Sequence, residues 1–249
     1  MFRRTALTLA LFLAAFLPGV SPAAEAVDLA LVLAVDSSGS VNQQRFEQQR
    51  DGYADALVST AVLSAIKSGD NRRIAVTYFE WSDGRRMARI LPWTLIDGEA
   101  TAREASRIIR EHRRQVVGDT CIACAMDEAI RQFEALPWPT DRKVLDISGD
   151  GESNVGESVD VARERTLAAE ITINGLPIAT FYEPGLADYY EQHVIGGPGA
   201  FIIVAKGFDD FARAIAAKMV REIAAVPVAE TRSTWLTPHP NPPPQGGGQ

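Results

Sequence analysis

From Val27 the chain opens on nine residues, VDLALVLAV, of which only Asp28 is polar. A strand buried on both faces reads this way, because neither face meets water. Further short β-rich runs are RIAVTYFEW (73–81), KVLDIS (143–148), ITINGLPI (171–178) and AFIIVA (200–205). A weaker run, RRMARILPWTL (85–95), is expected beside the second strand. Helical spacing lies between them. In 101–113, Thr101 and Glu104 have capping-box spacing, and Ala105, Ile108, Ile109 and His112 follow i, i+3, i+4, i+7. In 121–135, Ile122, Met126, Ala129, Ile130 and Phe133 share a face. Helices are also expected over 42–66, 157–169, 185–193 and 207–224. The alternation predicts an α/β fold: a single doubly wound, mostly parallel, Rossmann-like sheet with helices on both faces, over about 27–225.

The two ends read differently. Residues 1–26 have a basic start (MFRR), a short apolar stretch (TALTLALFLAAFL) and small residues at Ala24 and Ala26, the pattern of a cleaved secretory leader. No later segment is long enough to span a membrane, so none is expected after cleavage. Residues 226–249 are Pro- and Gly-rich and are expected to be disordered. The expected protein is therefore exported, periplasmic or secreted. With 46% hydrophobic residues a packed core is affordable, and a net charge of −7 with no basic segment argues against nucleic acid as a partner.

The stretch AVDSSGSV (34–41) closes the first strand with one carboxylate and three hydroxyls. It lacks the Gly-x-Ser-x-Gly of a hydrolase elbow, the Lys-Ser/Thr of a phosphate loop and the three glycines of a dinucleotide fingerprint. His193 is the one histidine placed to act as a base; His112 lies on an apolar stripe and His239 in the tail. Read alone, the loop caps the next helix from Ser40 or Asn42. Other strand ends change this. Parallel strands send their carboxyl ends to one edge, where ligands bind. Asp150 follows another central strand in LDISGDGESN, and Thr120 opens a helix in GDTCIACAMDEAI. Asp36, Ser38, Ser40, Thr120 and Asp150 can then converge as an all-oxygen set suited to a hard cation: Mg²⁺, or Mn²⁺ or Ca²⁺.

At these residues the chain resembles the von Willebrand factor type A (vWA) family, whose metal-ion-dependent adhesion site reads Asp-x-Ser-x-Ser, a distant Thr and a distant Asp. AVTYFEWS, PWTLID, TINGLPI and HVIGGPGAF further resemble secreted bacterial vWA proteins of unassigned function. The resemblance implies that Ser38 and Ser40 coordinate the metal through their hydroxyls. Thr120 would do so directly or through water, and Asp36 and Asp150 mainly through water. It also implies an open coordination position for a Glu or Asp of a partner protein, hence binding rather than turnover. Gly-Asp-Thr stands where Gly-Gly-Thr is commoner, which adds Asp119 beside the site.

Other residues compete for notice. Asp146, inside a strand, reads as a buried, hydrogen-bonded carboxylate. Cys121 and Cys124 are neighbours on a helix start, and a disulfide and two free thiols are both open readings. Trp81 is expected exposed near the metal edge and Trp93 in the core. The alternative to a binding domain is an enzyme, either a metal-assisted hydrolase or a Cys-x-x-Cys thiol oxidoreductase, but no well-placed general base or second metal cluster supports it.

Overall fold

The computed structural model describes residues 25–84, 87–181 and 183–224. The expected tail, and all but the last two residues of the expected leader, lie outside these. Five strands form one sheet: β1 (Ala30–Asp36), β2 (Ile74–Trp81), β3 (Ala88–Ile96), β4 (Lys143–Gly149) and β5 (Ile171–Pro177), in the order β3-β2-β1-β4-β5. All pairs are parallel except β2–β3. The α/β doubly wound reading holds.

Every residue of β1 is buried, and the two-residue strand period divides them between two cores. Leu31, Leu33 and Val35 face α1 (Gln43–Val58), α2 (Thr60–Ser68), α3 (Glu99–Glu111) and the last helix; Ala30, Val32 and Ala34 face α4 (Ile122–Glu134), α5 (Val159–Ala168) and α6 (Leu186–Tyr189). That last helix is α7 (Phe211–Ala224). An apolar run with no alternation is what two-sided burial requires, so β1 takes the centre of the sheet.

Four local expectations are corrected. The helix foreseen over 42–66 is two, because the Ser59 hydroxyl donates to Ala56 O (2.8 Å) and accepts from Val62 N (3.2 Å), ending one helix and starting the next. AFIIVA is not a strand of the sheet. It meets β5 at the isolated bridge Gly175–Ile202 and the residue after β5 at the bridge Ile178–Ala205, and Pro177 has no N–H to extend a ladder. The 185–193 helix is one α-turn widened over Tyr190–Val194. Helix α3 starts earlier than foreseen: Thr101 is inside its first turn, where its hydroxyl accepts from the Gly98 amide (3.2 Å).

Candidate metal centre

Asp36 is the last residue of β1, and the chain then turns sharply. Its Oδ1 accepts from the Ser38 amide (2.7 Å) and its Oδ2 from the Asp150 amide (3.4 Å), tying the ends of β1 and β4 together. Ser38 Oγ lies 3.2 Å from Ser40 Oγ, and Ser40 Oγ donates to Asp150 Oδ1 at 2.5 Å. Asn42, the alternative foreseen for the cap, accepts from the Arg45 amide at 3.0 Å and starts α1, which leaves Ser40 free for other work. Ser40, Thr120 and Asp150 line one depression of about 530 Å³, together with Arg45, Glu152, Ser153, Asn154, Thr180 and Glu183. The five residues singled out in the sequence therefore gather on one edge, Asp36 and Ser38 beneath and the other three at the opening.

Two supports were not foreseen. Arg114 Nη2 donates to Ser37 O (2.7 Å) and Ser38 O (2.6 Å), and its Nε to Ser37 Oγ (3.0 Å). Ser37 Oγ in turn donates to Val116 O (2.7 Å), so this serine is a brace for the loop. Thr120 is held by the loop after β4: its amide donates to Asn154 Oδ1 (2.9 Å), and its carbonyl accepts from Asn154 N (2.9 Å) and Ser153 Oγ (3.2 Å). Both supports join residues far apart in sequence, and no local signal announces either.

Burial, and then the nearby charge of Asp150, push the Asp36 carboxyl up to about 7; the amides of Ser38 and Asp150 partly oppose this. Burial also raises Asp150, against its bond from Ser40 and the charge of Arg45. Arg45 Nη1 lies 3.3 Å from Asp150 Oδ2 and donates to Ser40 O at 2.8 Å. The edge thus carries two carboxylates that oppose each other's ionisation, with one half-exposed guanidinium at its flank. Among the described residues no three His, Cys, Asp or Glu side chains converge as a metal site. What the edge offers is carboxylate and hydroxyl oxygen, and that donor set fits a hard divalent cation.

Other candidates separate. Trp81, expected exposed, is fully buried opposite Asp36, because the β1–β2 register carries it into the core. Trp93 is half-buried against Phe133, its Nε1 donating to Gln132 O (2.7 Å). Asp119 is exposed and does not line the depression. His193 pairs with Asp160 at 3.0 Å, and no serine hydroxyl bonds to it among the described residues. Asp146 is buried against Lys218. The cysteines form a disulfide.

The architecture is a mostly parallel sheet with one antiparallel edge strand, helices on both faces and a hydroxyl-rich loop after its central strand, a fold shared with vWA-type structures. The family described as "Protein of unknown function (DUF1194)" matches residues 26–227, and the chain belongs to that family. Solved structures agree on the fold. Proximal thread matrix protein 1 (PTMP1) from the mussel byssus superposes with a TM-score of 0.59 at 15% identity, covering 81% of this chain and 50% of its own. The pilus adhesin SpaC from Lactobacillus rhamnosus GG gives 0.58 at 14%, covering 81% and 31%. A von Willebrand factor type A protein from Catenulispora acidiphila gives 0.52 at 14%, covering 79% and 43%. The chain thus spans half or less of each of these proteins. No curated protein matches it.

Proposed function

We propose that the protein is an exported, non-catalytic binding domain. It holds a divalent cation, Mg²⁺ first, through Asp36, Ser38, Ser40, Thr120 and Asp150, and through that cation an acidic side chain of a partner protein. The observation that carries this reading is the convergence of two opposed carboxylates and three hydroxyl side chains on one open edge. A bound cation would supply an electrophilic centre for an incoming carboxylate. Ser38, Ser40 and Thr120 offer neutral oxygens to it, while Asp36 and Asp150 supply charge from behind their hydrogen bonds. The resemblance to PTMP1 supports the reading, since a structure of that protein is described with a zinc-occupied MIDAS motif. Export is supported by the leader pattern and by the disulfide. For a thiol oxidoreductase only Cys124 would be open to a substrate disulfide, since Cys121 is fully buried and Cys124 half-buried.

Calorimetric titration with Mg²⁺ and Mn²⁺ tests the site. Wild type should bind, and Asp36→Ala and Ser38→Ala should each lose about tenfold or more in affinity. Equal behaviour of all three proteins would sink the reading.

A further inference from the structure

The disulfide sits directly behind the Thr120 ligand. Cys121 is the N-cap of α4, its amide donates to Ser82 O (2.9 Å), and its bonded partner Cys124 lies in the first turn of that helix. Two loops close on the sulfurs. Gly84 has φ +80 and Gly156 has φ +94; a Cβ on Gly84 would run into Cys124 Sγ, and one on Gly156 into Cys121 Sγ. Glycine is needed there twice over, for the left-handed backbone and for the close approach. The Gly156 loop is the segment whose Ser153, Asn154 and Val155 hydrogen-bond to Thr120 O. Ser153 and Asn154 also line the depression beside Ser40 and Asp150.

From this we infer that the Cys121–Cys124 disulfide is the positioning element of Thr120, so that cation affinity at the edge depends on its oxidation state. The inference rests on the proposed cation site. Bonded sulfurs sit about 2 Å apart, whereas two thiol sulfurs need roughly 3.5 Å or more. A dithiol reductant passes two electrons and two protons to the pair, leaving two thiols and becoming a cyclic disulfide itself. The sulfurs must then separate against the two glycine loops packed on them, with Cys121 fully buried and Cys124 half-buried. Movement of the first turn of α4 or of the 153–156 loop slackens the bonds that hold Thr120.

The test compares oxidised and dithiothreitol-reduced protein, with circular dichroism to establish that both are folded. Amide hydrogen exchange is read at Asn154 and Val155 without metal, and Mg²⁺ affinity by calorimetry, in wild type and in Thr120→Ala. Reduction should raise exchange at both amides and lower Mg²⁺ affinity about tenfold in wild type. In Thr120→Ala it should change affinity less than about twofold, because the disulfide acts through that hydroxyl. Cys124→Ser should reproduce the reduced state without reductant. Unchanged exchange, or an equal affinity loss in Thr120→Ala, overturns the inference. If wild type binds no cation in either state, the proposed function fails instead, and the exchange at Asn154 and Val155 still decides whether the disulfide holds Thr120.

Discussion

Two pairs of carboxylates lie along the central strands, and they are neutralised differently. Asp146, inside β4, and Glu222, on α7, enclose Lys218: its Nζ is 2.8 Å from Asp146 Oδ1 and 2.5 Å from Glu222 Oε1, with all three side chains buried. The Asp146 contact is an ion pair off the line of a hydrogen bond, and Asn174 Nδ2 adds a bond to Glu222 Oε1 at 2.9 Å. Asp36 and Asp150, at the end of the same sheet, have only the flanking Arg45 and a nearby Arg114, whose bonds go to the loop. The interior pair carries its cation as part of the chain. The edge pair is buried at the floor and side of a depression and is met only from the flank, by Arg45 on Asp150, which is the asymmetry expected if one cluster is structural and the other receives an ion from outside.

The largest effect should come from breaking the interior cluster. Lys218→Met leaves Asp146 and Glu222 buried without a cation, and losing one partner of a buried pair costs about 3–5 kcal/mol. Burial already raises the Asp146 carboxyl, and Glu222 adds to this while Lys218 opposes it. In the variant Asp146 should be driven further towards the neutral form. Urea denaturation should therefore show a large loss at pH 8 and a smaller one at pH 5, where protonation relieves the repulsion. Mg²⁺ should not rescue it. Rescue by Mg²⁺ would mean that the two clusters are not separate in kind.

A smaller effect, with the opposite sign, belongs to the edge. The Asp36 carboxyl moves from 3.8 unfolded to about 7 folded. Below about pH 4 it is protonated in both states and contributes nothing. Between about 4 and 7 the unfolded chain has lost that proton while the folded metal-free protein keeps it, so stability falls as pH rises. Above 7 the cost is complete, at most about 4 kcal/mol from the size of the shift. Asp36→Asn should remove this slope, making the metal-free variant more stable than wild type at pH 8 and nearly equal to it at pH 4. Saturating Mg²⁺ should narrow the gap at pH 8, because wild type gains binding free energy that the variant lacks: about 2.7 kcal/mol at a hundredfold excess over Kd. Thermal melts at the two pH values, with Mg²⁺ and with chelator, check both halves.

The two clusters were not equally legible in the sequence. Asp36, Ser38 and Ser40 stand close together, and Thr120 and Asp150 each follow a recognisable break between elements, so strand order alone brings them to one edge. Asp146 could be read as buried from its place in an apolar strand, but Lys218 and Glu222 could not be assigned to it. They are ordinary charged residues on an ordinary helical pattern, and only the packing of α7 against β4 and β5 turns them inward. Trp81 failed for a related reason. The end of a strand looks like the surface in sequence, yet its register opposite Asp36 covers it. Arg114 was invisible because a guanidinium braces carbonyl groups of any residue type, leaving no pattern at the Ser37 and Ser38 positions it holds.

Arg45 offers the smallest and sharpest test of the comparison, since it is the nearest thing the edge has to a resident cation. Its side chain is 32% exposed, and its guanidinium touches Asp150 Oδ2 and Ser40 O. Arg45→Gln removes a positive charge from beside the site, which favours an incoming cation; it also loosens one oxygen of Asp150, which disfavours it. The first effect should win, because Ser40 Oγ still holds Asp150 Oδ1 at 2.5 Å and keeps the carboxylate in place. At a half-exposed position the gain is about 1 kcal/mol or less, or roughly threefold to fivefold in Mg²⁺ affinity, and it should shrink with added salt as the repulsion is screened. Arg45→Lys keeps the charge and should show little gain. If Arg45→Gln binds more weakly than wild type, Arg45 is a support for Asp150, and the edge is closer in kind to the interior cluster than its open position suggests.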